Sequence, residues 1–249
     1  MFHVKQPPEP KASSVGDEGW AERGVGEGSP ALGVGDSGAA ASDIAARAAI
    51  DAYRALLERY RGTLDLMSPR AFDELDAKVA EAERYAAVVA RFAPETGAVL
   101  DLGTGAGLPG AVVAARLAPR PVWWVERRHR RATFLAQVAA RAGFEAVRVA
   151  DRDVRDLDAV AVGPVVAVTA QAVASFEAVA SLTRHLWDER VLLVSRKGPG
   201  WEAEVEALRQ AVAGWGTATV EVVATEPLGT RGTLIAVRVQ GGPACPPSA

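Results

Sequence analysis

Cysteine is almost missing from this 249-residue chain. Cys245 is the single one, which excludes an intrachain disulfide and any metal site built from thiolates. The histidines, His3, His129 and His185, are scattered and offer no metal-ligand spacing. No apolar run reaches the roughly 18 residues a membrane helix needs. The opening MFHVKQPPEPK has no apolar core of a secretory signal, which leaves a cytoplasmic protein as the expectation. An excess of one charge is missing too: 28 Lys and Arg against 31 Asp and Glu give −3, no general attraction to nucleic acid. Residues 1–43 hold 3 basic and 7 acidic side chains, leaving 25 against 24 over residues 44–249, so any RNA-binding surface must be local.

Glycine, by contrast, is concentrated where it matters. In VLDLGTGAGLPG, Val99, Leu100 and Leu102 read as a short buried strand that runs into Gly103, Gly105, Gly107 and Gly110, with Asp101 near the strand's end. Residues without Cβ reach positive φ and let a ligand lie on bare backbone, and the helix from Gly110 to Ala118 aims its N-terminal amides at that ligand. Glu126, closing the next apolar run, is spaced to hold ribose hydroxyls. Gly105, Gly107 and Gly110 also satisfy the dinucleotide pattern G-x-G-x-x-G. An acid at Asp101 repels a pyrophosphate but suits a cationic amino-acid head. The full D-x-G-x-G-x-G pattern resembles motif I of the S-adenosylmethionine-dependent methyltransferases.

Residues 1–42, rich in glycine and without period, read as a disordered leader, and residues 241–249 as a disordered tail. A helix is expected from a cap at Ser42 or Asp43 to about Gly62. A second, with Phe72, Leu75, Val79, Ala82, Ala86 and Val89 on one face, completes an N-terminal helical cover over residues 43–93. Over residues 94–240 strand and helix alternate: strands Val122–Glu126, Ala146–Ala150, Val165–Thr169 and Val191–Ser195, helices Arg130–Ala142, Phe176–Trp187 and Glu202–Ala213. The last strands, Thr219–Val223 and Thr233–Val239, have no helix between them. This predicts an α/β fold, a Rossmann-like class I methyltransferase with a seven-stranded, mostly parallel sheet and an antiparallel C-terminal hairpin. Trp123 and Trp124 are adjacent in a strand and belong on opposite faces, in the core.

The order of blocks VLDLGTGAGLPG, WWVERRHRRATFL, VRVADRDV, VTAQAVAS and LVSRKG is similar to the bacterial RsmG (GidB) family, from about Asp51 to Val239. The resemblance implies S-adenosylmethionine as cofactor and N7 of a guanine in 16S ribosomal RNA as acceptor, with the small ribosomal subunit as partner. It implies cofactor contacts at Asp101, Gly103, Thr104, Gly105, Gly107, Leu108, Glu126, Asp153, Val154 and Gln171. Lys197 and Gly198 match the family's lysine-glycine facing the cleft, and Arg231 falls near its late arginine. Gln171 stands where the family has arginine, and the lid motifs are replaced at Asp65, Met67 and around Lys78–Glu83.

A base nitrogen with a free lone pair needs no general base, so the lack of an acid-base pair is compatible with methyl transfer by positioning. Arg127, Arg128, Arg152, Arg196 and Lys197 are the expected substrate contacts: the first two open a basic run, Arg127–Arg131, that has Arg116 and Arg120 nearby in sequence, and the other three follow later strand ends. Two alternatives stay open: the same fold acting on another RNA or a small molecule, and a non-catalytic RNA-binding or assembly protein that keeps the pocket.

Overall fold

Runs of Val, Leu and Ala alternate with amphipathic helices, and each crossover returns the chain to lay a strand parallel to an earlier one. The structure, a computed structural model, describes residues 35–241. It opens with α1 (Gly35–Tyr60), α2 (Pro69–Asp73) and α3 (Leu75–Phe92). Then follow β1 (Ala98–Leu102), α4 (Gly110–Leu117), β2 (Val122–Val125), α5 (His129–Arg141) and β3 (Val147–Ala150). The second half holds α6 (Ala159–Val162), β4 (Val165–Ala170), α7 (Phe176–Thr183), β5 (Trp187–Lys197), α8 (Trp201–Ala213), β6 (Thr219–Pro227) and β7 (Thr233–Gln240).

The seven strands form one sheet in the order β3-β2-β1-β4-β5-β7-β6. Only β7 runs against its neighbours, pairing antiparallel with both β5 and β6. The order reverses between β1 and β4, and in open α/β sheets that reversal leaves a crevice at the carboxyl ends of the strands. The expected fold class is therefore the observed one.

Several boundaries differ from the sequence reading. α1 begins at Gly35 and runs through the expected cap, because Ala39, Ala40 and Ala41 are strong helix formers that carry the helix past Gly38. Asp43 is thus interior to the helix, where it pairs with Arg47 at 2.9 Å and with Arg116. The rest of the expected leader, residues 1–34, and the tail from residue 242 lie outside the described residues. The second expected helix is preceded by a separate turn of helix, α2, capped by the Ser68 hydroxyl, which accepts the Ala71 amide at 3.3 Å. α7 stops at Thr183, whose hydroxyl donates to the Val179 carbonyl and accepts the Trp187 indole N–H, so that Trp187 can start a longer β5.

The core lies on both faces of the sheet. On one, α1, α3, α4 and α5 pack Tyr53, Tyr85, Val112 and Leu135 against Val99 and Trp124. On the other, α7 and α8 pack Phe176 and Leu208 against Leu100, Leu102 and Leu193. Trp124 joins the first cluster, edge-on to Phe144 at 5.2 Å, and Trp123 the second, as strand alternation requires. The helical cover shares its core with the sheet, and residues 35–241 belong to one compact unit.

Candidate cofactor and substrate site

The loop after β1 is pinned at its start, where the Gly103 and Thr104 amides donate to the Val125 carbonyl at the end of β2. Gly105 has φ +60, and its amide donates to Glu126 Oε2 at 3.0 Å, while the Arg128 amide donates to Oε1 at 2.8 Å. Glu126 is buried, with each oxygen held by one backbone amide, and each keeps lone pairs for a further donor. At the end of β3, Asp153 accepts the Arg155 amide and both arms of the Arg155 guanidinium, at 2.9–3.0 Å. The guanidinium holds that carboxyl well below the usual carboxylate range. Val154, next to it, is buried.

These groups open onto one cleft of about 640 Å³, the size of a cofactor pocket. Of the residues expected to touch a cofactor, Gly103, Thr104, Gly105, Leu108, Glu126, Asp153, Val154 and Gln171 line it. Their chemistry fits an adenosyl group: a two-oxygen acceptor suits a vicinal diol, and an apolar wall beside a carboxylate suits a purine bearing an amino group. Leu66, Met67, Lys78 and Ala172–Ala174 complete the walls. Leu66 and Met67 lie in an aperiodic turn and Lys78 on the polar side of α3, so spacing in the sequence does not point to them. Ala172 holds φ +55, a strained value for a residue with a Cβ, directly after β4.

Asp101 and Gly107, by contrast, do not line the cleft. Leu100 and Leu102 belong to one face of β1, and Asp101 shares the opposite face with Val99, beneath α4. The Asp101 side chain is fully buried, accepts the Thr169 hydroxyl at 2.6 Å and lies against the Gly110 amide; Oδ2 has no partner among the described residues. Burial pushes this carboxyl up to about 7. It therefore holds the loop from below, and the first turn of α4 is occupied by the protein's own acid. Gly107 is bare for a neighbouring helix: a Cβ there would stand 2.7 Å from the Tyr53 ring, whose hydroxyl donates to the Ala106 carbonyl at 3.0 Å.

The basic residues divide in the same way. Arg127, Arg128 and Arg152 are exposed and line the cleft, joined by Lys78 and Arg131. Arg131 donates to the Asp65 carbonyl, tying α5 to the turn after α1. Arg196 and Lys197 do not open into the cleft. Arg196 pairs with Glu81 at 3.3 Å, whereas Lys197 is buried, paired with Glu204 at 2.7 Å and set 4.5 Å from the Phe176 ring centre. Arg116 grips both Glu83 oxygens at 2.8 Å, and Arg120 donates to the Gly97 and Pro94 carbonyls, so both are structural. Arg231 pairs with Glu74 and Glu81. Among the described residues no group of three or more His, Cys, Asp or Glu is placed to hold a metal, and no helix is long and apolar enough to cross a membrane.

Comparison with curated proteins finds no match. Among solved structures, the O-methyltransferase TomG from Streptomyces achromogenes, in complex with SAM, superposes at TM-score 0.50. It is 18% identical, over 80% of this chain and 90% of that one. TYW2 from P. horikoshii, in complex with MeSAdo, superposes at TM-score 0.50 with 17% identity, over 70% of this chain and 64% of that one. At such identities the likeness is one of fold. The family model for GidB, rRNA small subunit methyltransferase G, matches residues 46–228, well over half of the chain. The chain belongs to this rRNA small subunit methyltransferase G family and is an S-adenosylmethionine-dependent methyltransferase.

Proposed function

We propose that the acceptor is a guanine of small-subunit (16S) ribosomal RNA, methylated at N7, and that the protein works in the cytoplasm on the small subunit or its RNA. The observation that carries this is the rim of Lys78, Arg127, Arg128, Arg131 and Arg152 around a single cleft, in a chain whose net charge is −3. Positive charge gathered at one opening of a slightly acidic protein matches a polyphosphate substrate, whose affinity then falls steeply with salt. Among the described residues Lys78, Arg127, Arg128 and Arg152 make no ion pair, so they are available to phosphates.

Bound S-adenosylmethionine supplies an electrophilic methyl group on a sulfonium. Guanine N7 presents a lone pair without a proton, so nothing has to be removed from it. The two acids on the cleft wall are already engaged, Glu126 by two amides and Asp153 by Arg155. The chain's work is to fix the adenosyl end through Glu126, Asp153 and Val154, to shield the reacting pair from water with Leu66, Met67 and Leu108, and to hold the base in line.

The test is methylation of small subunits from cells lacking this enzyme, read as 7-methylguanosine by nucleoside mass spectrometry. The purified protein should restore that nucleoside, and a product methylated elsewhere, or none, would overturn the assignment. Replacing Arg127 and Arg152 by Glu should raise KM for the subunit by about tenfold or more and flatten its salt dependence. Affinity for S-adenosylhomocysteine should change little in that variant.

A further inference from the structure

Glu81 is the most deeply buried acid of α3, with its side chain 2% exposed. A carboxylate this far from water must be compensated, and side chains from three other parts of the fold converge to do so. Gln171 Nε2, directly after β4, donates to Oε1 at 2.6 Å. Arg196 Nη1, from β5, lies 3.3 Å from Oε2, and Arg231 Nη1, from the turn between β6 and β7, lies 3.8 Å from it. The Tyr85 hydroxyl, one turn further along α3, accepts the Arg196 amide at 2.8 Å and steadies that arginine's backbone.

The chemistry of these partners fixes an orientation. A carboxylate only accepts, so the Gln171 carboxamide must turn its NH₂ toward Glu81 and its oxygen away. Gln171 lines the cleft, and among the described residues its oxygen receives no donor. Left alone, a glutamine presents donor or acceptor with equal ease; tied to Glu81, it presents an acceptor.

Sheet order says which part of a ligand meets that acceptor. Glu126 and Asp153, at the ends of β2 and β3, lie on one side of β1, and Gln171, at the end of β4, lies on the other. With the purine at the Asp153 end, the opposite end of an adenosyl amino acid faces Gln171. The N–H donor at that end is the α-ammonium.

We propose that Glu81 is a positioning residue that sets the Gln171 carboxamide with its oxygen in the cleft, so that the cleft selects ligands bearing an α-ammonium at their amino-acid end. This rests on the adenosyl reading of the cleft. It makes Gln171 a discriminating contact without adding charge, since the guanidiniums of Arg196 and Arg231 already balance Glu81.

Calorimetry with the full chain tests it, using S-adenosylhomocysteine and its deaminated analogue, in which hydrogen replaces the amino group. The wild type should bind the amine-bearing ligand about tenfold or more tightly, the worth of one charge-assisted hydrogen bond. Gln171→Met, which removes the acceptor, should bring that ratio close to one. Glu81→Gln, which lets either end of the Gln171 amide turn inward, should reduce it, whereas Glu81→Asp should preserve it. Melting temperatures without ligand separate out any loss of stability, which by itself lowers both affinities together and leaves the ratio in place. Should Glu81→Gln fail to fold, Gln171→Met, which keeps both arginines on Glu81, decides the matter. A wild-type ratio retained in Gln171→Met, or a ratio near one in the wild type, overturns the proposal alone. Failure of the wild type to bind either ligand would overturn the adenosyl reading with it.

Discussion

Asp101→Asn should remove a specific pH dependence from the stability of the fold. The Asp101 carboxyl is fully buried and pushed up to about 7 from an ordinary 3.8, chiefly by desolvation, against the opposing pull of the Thr169 and Thr104 hydroxyls and the Gly110 amide. Between those two values the folded chain keeps a proton on Asp101 that the unfolded chain has released. The folded state thus binds more protons, and stability falls as pH rises. The contribution is complete below 3.8 and is lost as pH climbs through about 7. A gap of about three units corresponds to about 4 kcal/mol across the window, at a slope near 1.4 kcal/mol per pH unit. Asparagine is uncharged throughout, so the wild type should lose stability relative to Asp101→Asn as pH rises toward neutrality. Any constant offset from changed hydrogen bonds to Thr169 or the Gly110 amide drops out of the slope. Urea unfolding followed by circular dichroism at a series of pH values measures the difference. A flat difference between the two proteins would mean that water reaches Asp101 and that the loop is not sealed from below.

Gly107→Val should destabilise the chain by about 2–4 kcal/mol, since the residue sits at φ +112 and its Cβ would stand 2.7 Å from the Tyr53 ring. Thermal unfolding checks this, and the milder Tyr53→Phe should cost about 1 kcal/mol through the lost bond to Ala106. Lys197→Met should lower the urea midpoint by an amount equivalent to about 1–3 kcal/mol, because it leaves the Ala174 carbonyl without its donor and Glu204 without its cation, held by the Phe176 amide alone. KM for the ribosomal substrate should stay at its wild-type value, and a rise in it would return Lys197 to the cleft.

The sheet was legible because buried parallel strands are continuous β-branched and leucine runs, and because the closing pair lacks an intervening helix. The glycine loop was legible because positive φ at three alternating positions demands glycine. Which glycine serves a ligand was not: Gly107 answers to Tyr53, 54 positions earlier in the chain. The place of the Asp101 side chain was not legible for a related reason. Every residue of β1 is buried, so alternation names two faces without saying which one opens to the cleft. Adjacent Arg196 and Lys197 looked alike at a strand's end, yet alternation sends them to opposite faces. Each meets an acid, Glu81 or Glu204, that only the tertiary fold brings near. Long-range pairing of this kind leaves no local pattern to read.

The same pairings show what the helical cover does. α1 reaches the glycine loop through Tyr53 and Ala106, the turn after α1 reaches the start of α5 through Asp65 and Arg131, and α3 reaches the end of β4 through Glu81 and Gln171. Each piece of the cover fixes a different wall of the cleft, and all share the core cluster that carries Val99 and Trp124 of the sheet. Folding of the cover and affinity for an adenosyl ligand are therefore linked: a ligand that binds only the assembled cleft must stabilise α1 and α3 as well as the sheet. Amide exchange should slow on saturation with S-adenosylhomocysteine at Tyr53 and Glu81, in the helical cover, as well as around Gly105. Protection confined to the glycine loop would mean that the cover rests on the sheet without governing the site.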